Sequence, residues 1–321
     1  MKRFCIWLAL LSAFVVQTAA AQSWPAKPVR IIVPFAPGGT VDVLSRLLAE
    51  RLGTGLGQPF LVENRPGAGG NIGAEAVARA EADGYTLLLS GSPTHAVNPT
   101  LYKKLPYDAV RDFTPIALIA AAPNLLVVNP QRPIQNVQDL VKLAREKPGQ
   151  LDYSTAGPGT SGHLAAELMR SQMQVDVRHV PYKGQADAIT AVIRGDTAFS
   201  FVTVPATLPH VKAGRLRAIA ITSLTRSALA PDVPTVAESG FAGFEVLGRY
   251  SMYGPRGLPQ EVVARLTGEL GRIMRDPAIL EKIVHLGAEA KFLTGQAFVD
   301  FSQSEMTKWG NVIRASGASA N

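Results

Sequence analysis

Val29-Arg30-Ile31-Ile32-Val33-Pro34-Phe35-Ala36-Pro37-Gly38-Gly39-Thr40-Val41-Asp42-Val43-Leu44-Ser45-Arg46-Leu47-Leu48 decides the fold class. An apolar strand (29–35) runs through a proline- and glycine-rich turn (36–40) into a helix. The same order follows at once: strand Phe60–Asn64, turn Arg65–Gly70, helix Asn71–Val77. The first turn of a helix leaves backbone N–H groups unpaired and carries the positive end of the helix dipole. Glycine has no Cβ, so an anion can come close to those donors. The chain reads as a scaffold that presents backbone donors to something negatively charged.

Strand-like and helix-like stretches alternate along the rest of the chain, the signature of parallel strands with crossover helices. Tyr85–Ser90 is a third strand, ending in the polar loop 91–98. Ile116–Val128 is a long apolar strand suited to crossing between domains. Asn136 precedes an amphipathic helix as its cap, with Asp139 three residues on. The pattern then repeats: strand 151–155, glycine-rich turn 156–162, helix 163–173, strand 177–180, helix 186–194, and strands 198–204 and 216–222. A proline- and serine-rich connection (226–240) leads to a strand near 244–252 and helices at 259–275, 277–286 and 295–315. The expected organisation is a leader over 1–21, a first lobe over 22–122, a second over 123–225, and a return to the first lobe over 226–321. In such α/β sheets a ligand sits outside the carboxyl ends of the strands. Those ends feed loops 36–42, 65–73, 90–98, 154–163, 181–185 and the region of Thr203, all rich in glycine, serine and threonine.

Met1-Lys2-Arg3, the apolar run Ile6–Val16 and Ala19-x-Ala21 before Gln22 have the form of a cleaved export signal. The run is shorter than the roughly 20 residues that span a bilayer. Cys5, the one cysteine, lies inside this leader, so the exported chain has no thiol for a disulfide, thiolate metal site or nucleophile. The location expected is the periplasm. Net charge is +7 for the whole chain, and removing Lys2 and Arg3 lowers it by two. A basic surface steers anionic ligands. The basic residues are scattered and no nucleic-acid motif occurs, so nucleic acid is not an expected partner.

Gly157-Pro158-Gly159-Thr160-Ser161-Gly162 matches G-x-G-x-x-G, but no acid ends the next strand to hold a ribose. A small anion at a helix start, with Ser154, Thr160 and Ser161 as hydroxyl donors, fits better. G-x-S-x-G and the phosphate-loop pattern are absent. His95, His163, His179, His210 and His285 match no zinc spacing and read as loop or surface residues. Ser161 and His163 are neighbours at a helix start, without an acid nearby in sequence to orient the imidazole. The residues point away from an enzyme and call for no cofactor or metal. Asp42, in the first helix turn, reads as loop bracing and dipole compensation; Glu63-Asn64-Arg65 reads as a local lock. Phe35 and Tyr182 are either cleft walls or core.

At Pro34–Asp42, Gly57–Glu75, Asp83–Leu89, Leu105–Asp108, Asp112–Ala117, Ser154–Leu164, His179–Gly184 and Pro231–Gly240 the chain resembles the Bug-type periplasmic receptors of tripartite tricarboxylate transporters. The resemblance runs in order along the exported chain. It implies an α/β class II periplasmic binding protein fold, two lobes joined by crossing strands with the ligand cleft between them. It also implies a small carboxylate held by backbone amides, hydroxyls and ordered waters. By resemblance, Phe35, Gly38, Gly39, Thr40, Ser92, Thr94, His95 and Asn98 line the first lobe. Ser154, Gly157, Gly159, Thr160, Ser161, Tyr182, Lys183, Gly184 and Thr203 line the second. The implied partners are a carboxylate and transporter membrane subunits, with the chain a monomer. A sensory receptor for a membrane kinase and a secreted enzyme on the same fold are the alternatives. The chain departs from the family at Gly248-Arg249-Tyr250-Ser251-Met252-Tyr253, where many members carry a tryptophan. Arg249 either adds positive charge near the hinge or cleft rim, or faces solvent.

Overall fold

The computed structural model describes residues 24–320; the leader expected over 1–21 lies outside them. Strands β1 (Val29–Val33), β2 (Phe60–Asn64) and β3 (Thr86–Ser90) form a parallel unit with β1 in the middle. Ile31 and Val33 face helix α1 (Thr40–Leu56), packing with Leu44, Leu48 and Leu52; Ile32 faces the other way with Ala74 and Val77 of helix α2 (Asn71–Ala78). Burial on both faces is why the strand reads as an unbroken apolar run rather than an alternation.

Strand β4 (Phe113–Val128) has 16 residues, about 50 Å of extended chain. From Phe113 to Pro123 it pairs with β9 (Leu247–Pro255), and β10 (Glu289–Thr294) lies against its Ala117–Ala121 part. From Asn124 onward it pairs with β7 (Phe199–Thr203) and β8 (Arg217–Ile221) instead. One strand thus belongs to two lobes and changes partners between Pro123 and Asn124. The second lobe adds β5 (Leu151–Thr155) parallel to β6 (Val177–Pro181) and to β7. Its helices are α4 (Val137–Glu146), α5 (Ser161–Met173), α6 (Gln185–Arg194) and α7 (Val204–Lys212). As expected, Asn136 caps α4 by accepting the Asp139 N–H at 2.9 Å.

Three features differ from the sequence reading. Segment 226–246, expected to return to the first lobe, buries Val236, Phe244 and Val246 in the second-lobe core with Phe199 and Leu164. Loop 91–98 is helical: a wide turn, Pro93–Val97, runs into α3 (Asn98–Leu101). Strand β10, Glu-Ala-Lys-Phe-Leu-Thr, gives no strand signal in the sequence because it is largely exposed and carries no clear apolar alternation. Of the C-terminal helices α8 (Gln260–Ile273), α9 (Pro277–His285) and α10 (Gly295–Ser316), the last spans both lobes. Phe298 packs with Ile32 and Leu88, whereas Trp309 and Ile313 pack with Leu126 and Phe201.

Candidate functional site: the gap between facing strand ends

Strand directions define the site. β3 is antiparallel to β9 and β9 to β4, so β1 and β3 run with β4, toward the second lobe. β7 opposes β4, and β5 and β6 follow β7, so these run toward the first lobe. The carboxyl ends of both parallel units therefore face each other, bringing the starts of α1 and α5 to opposite sides of one gap.

On the first lobe, the turn before α1 is clasped by Asp42, which is 3% exposed. Its Oδ2 accepts the Gly38 N–H at 2.9 Å, its Oδ1 accepts Asn64 Nδ2–H at 2.9 Å, and Arg46 reaches it at 3.0 Å. Asn64 also donates to the Phe35 carbonyl at 3.0 Å. Burial alone would raise the Asp42 pKa; the Gly38 N–H, Arg46 and Asn64 outweigh it and hold it below the usual carboxylate range. Phe35 is half-buried and lies over Gly70. A Cβ there would stand 3.0 Å from the Thr94 methyl and 3.3 Å from Phe35, at a φ of +95°.

The loop behind it is held by its own polar groups. Thr94 Oγ1 lies 2.8 Å from both Ser90 Oγ and His95 Nδ1; Ser92 Oγ accepts the Arg249 N–H at 2.9 Å. Asn98 donates to the Gly69 carbonyl at 3.1 Å and to Asn71 Oδ1. His95 stacks on Tyr253 with ring centroids 3.7 Å apart, and burial lowers its pKa to about 3. Ser92, Thr94, His95 and Asn98 are all buried, so His95 is not the loop-surface residue expected.

The second-lobe turn is braced differently. The Gly159 N–H donates to His163 Nδ1 at 3.1 Å, Thr160 Oγ1 to the Gly157 carbonyl at 2.8 Å, and Thr155 Oγ1 lies 2.6 Å from His179 Nε2. The two imidazoles stack at 4.3 Å, and Tyr153 also stacks with His179, at 5.0 Å. Burial lowers both histidine pKa values, that of His179 to about 3. His163 is buried and His179 half-buried, again against expectation. Glu167 accepts Tyr153 O–H at 2.8 Å and Arg170 at 2.9 Å, and lies 3.6 Å from His163 Nε2. Ser154 Oγ donates inward to the Ala188 carbonyl, and Thr203 Oγ1 to Gln185 Oε1. Tyr182 and Gly184 are half-buried and Lys183 exposed, at the end of β6.

The amides of Gly38 and Gly159 are thus already paired. What remains at each turn is the first-turn N–H set of α1 and of α5, neither of which has a side-chain cap. Between these helix starts lies the Gly248–Tyr250 stretch of β9, where the sequence reading weighed Arg249 but gave Gly248 and Tyr250 no role in the site. Burial pushes the Tyr250 pKa up to about 12, and the Thr40 hydroxyl of α1 beside it works against that rise. A Cβ on Gly248 would lie 3.5 Å from both Tyr250 Oη and Ser161 Oγ, and Ser161 Oγ donates to Asn124 Oδ1 at 3.1 Å. Asn124 and Tyr250 could have been flagged as polar groups interrupting apolar crossing strands.

Arg249 is neither at the rim nor in solvent. It is 6% exposed beneath α10, 3.4 Å from Glu305 and 3.6 Å from Glu245, with its guanidinium 5.2 Å above Phe301. Ser161 and His163 form no relay, since each hydrogen-bonds elsewhere. Among the described residues no group of three or more His, Cys, Asp or Glu is placed to hold a metal ion, and no helix is long and apolar enough to cross a membrane.

Residues 44–318 match the tripartite tricarboxylate transporter family receptor. Protein BugT of Bordetella pertussis is 34% identical over 314 residues, covering 98% of this chain and 96% of its own. The structure of Rpa4515 from R. palustris with adipate superposes with a TM-score of 0.86 at 35% identity, over 92% of this chain and 99% of the other. The periplasmic binding protein BugD gives 0.83 at 32%, over 93% and 100%. The chain belongs to the tripartite tricarboxylate transporter family of receptors, the Bug-type periplasmic binding proteins.

Proposed function

We propose that this chain captures a small carboxylate between its lobes in the periplasm, after removal of its leader, and delivers it to transporter membrane subunits. The carrying observation is the convergence of two uncapped helix starts, α1 and α5, on one polar floor made by Thr40, Tyr250, Ser161 and Asn124. Oriented N–H dipoles attract an anion without a fixed positive charge, and each charge-assisted hydrogen bond is worth about 1.5–3 kcal/mol before desolvation. Phe35 and Tyr182 wall the gap; Lys183 and Thr203 sit where the far end of a di- or tricarboxylate, acidic amino acid or aromatic acid would reach. Adipate in the Rpa4515 structure is an acid of this kind. The protein acts as a monomeric receptor and performs no chemistry on its ligand: the buried histidines are neutral and used in packing.

Thermal-shift and calorimetric screening of dicarboxylates, citrate, acidic amino acids and benzoate tests this. An acid at 100 times its Kd should stabilise the fold by about 2.7 kcal/mol. Stabilisation by neutral amides of the same skeletons, with none by the acids, would sink the proposal.

A further inference from the structure

We infer that Asn124 is a specificity-determining ligand contact, its side-chain Nδ2–H donating to an acceptor oxygen of the bound acid at the cleft floor. The inference rests on the carboxylate-receptor reading and names a residue of that site.

Asn124 stands where β4 changes lobes, and its main chain is fully paired. Its N–H donates to Thr222 Oγ1 at 2.9 Å and its carbonyl accepts the Thr222 N–H at 3.0 Å. The side chain is 1% exposed. Its Oδ1 accepts from Ser161, the first residue of α5, while Nδ2 has no partner. A buried donor without a partner is costly, so one held at a structural crossing calls for a partner that arrives. The neighbouring helix start asks for the same thing. α5 has no side-chain cap, because Thr160, the residue placed to supply one, donates its hydroxyl to the Gly157 carbonyl.

The surroundings define what arrives. Ser161 and Gly162 N–H groups and Asn124 Nδ2–H are all donors, and the opposite side offers the Tyr250 hydroxyl. Gly248 brings no side chain to the floor between Ser161 and Tyr250. A carboxylate oxygen satisfies such a donor set; an ammonium group does not. Asparagine rather than aspartate is required, since a second anion at this point would repel the ligand.

The test uses succinate, glutarate, adipate, citrate and benzoate as probes on the wild-type chain, Asn124→Asp and Asn124→Ala. Asn124→Asp keeps the acceptor for Ser161 and replaces the orphan donor by an acceptor. We expect the tightest probe to bind roughly 10- to 100-fold more weakly to both variants, Asp the worse, as loss of a charge-assisted hydrogen bond requires. Unliganded melting temperatures should stay close to wild type. Equal affinity in all three proteins overturns the inference while leaving the receptor reading intact; binding of no probe by wild type removes both. Should a variant fail to fold, wild-type protein labelled with 15N at asparagine decides the matter. The Asn124 side-chain NH2 pair, assigned through its own backbone amide, should shift on saturation with the tightest probe. An unmoved pair refutes the contact.

Discussion

The turns before α1 and α5 present the same local grammar and are held by opposite chemistry. The first, 34–40, is exposed over Ala36–Gly39 and fastened by a charged clasp, Asp42 with Arg46 and Asn64. The second, 156–162, is half-buried or buried and fastened by uncharged imidazoles stacked inside the lobe. Solvent explains the difference. At the first turn, water screens the outer end of the clasp, so ions are tolerable. At the second, desolvation disfavours a cation, and the neutral Nδ1 of His163 is the acceptor left to receive the Gly159 N–H. A glycine-rich turn can therefore be held rigid by whichever acceptor its depth permits.

The largest break in this comparison should come from packing rather than charge. Gly162 lies so close to β7 that a Cβ would run into the Phe201 carbonyl oxygen, which is backbone and cannot give way. Gly162→Ala should destabilise by about 3 kcal/mol or more, read by urea unfolding. Asp42→Ala comes next. It removes the buried acceptor that fastens the Gly38 N–H and the Asn64 side chain and should cost about 1–2 kcal/mol, with weaker ligand binding in the same titrations.

pH separates the two fastenings. A histidine whose folded pKa is lowered binds its proton more readily when unfolded, so the native state loses stability as pH falls below 6.5. For His179 the loss continues to about 3, at no more than about 1.4 kcal/mol per pH unit. Asp42 also loses its contribution on acidification, but at lower pH: its lowered pKa keeps that contribution intact above 3.8 and lets it go only as pH falls below. Between pH 6.5 and 4.5, wild type should therefore weaken while His179→Asn shows a shallower slope in parallel urea titrations; equal slopes would remove the histidine account. The smallest effect is expected for Arg46→Ala, well under about 1 kcal/mol, because this side chain is 53% exposed and screened. A loss as large as that of Asp42→Ala would show the clasp to be ionic rather than hydrogen-bonded.

Much of the fold was legible. Apolar runs ending in glycine turns located β1, β2, β5 and β6, and Asn136 with Asp139 marked the start of α4. The site was legible only in part. The loops were recognisable, yet their polar residues divide into those buried as fastenings (Thr94, His95, Ser154, His163) and those left at the gap. Sequence spacing carries no sign of that division, because it depends on partners distant in the chain, such as His179 for His163, Ala188 for Ser154 and Tyr253 for His95. Arg249 shows the same limit: a lone cation in an apolar strand reads as a surface or cleft charge until α10 brings Glu305 over it.

By itself the sequence determined the alternation of strands and helices, the two glycine turns and the family, because these follow from short-range periodicity and the special geometry of glycine. Only the tertiary structure decided that the two strand sets point at one another and that Asn124, Gly248 and Tyr250 lie between their helix starts. It also decided that the second turn is held by neutral histidines. Direction, depth and pairing across the sheet are properties of the assembled ladder, where burial rather than residue type determines which donors keep a partner and which are left facing the gap.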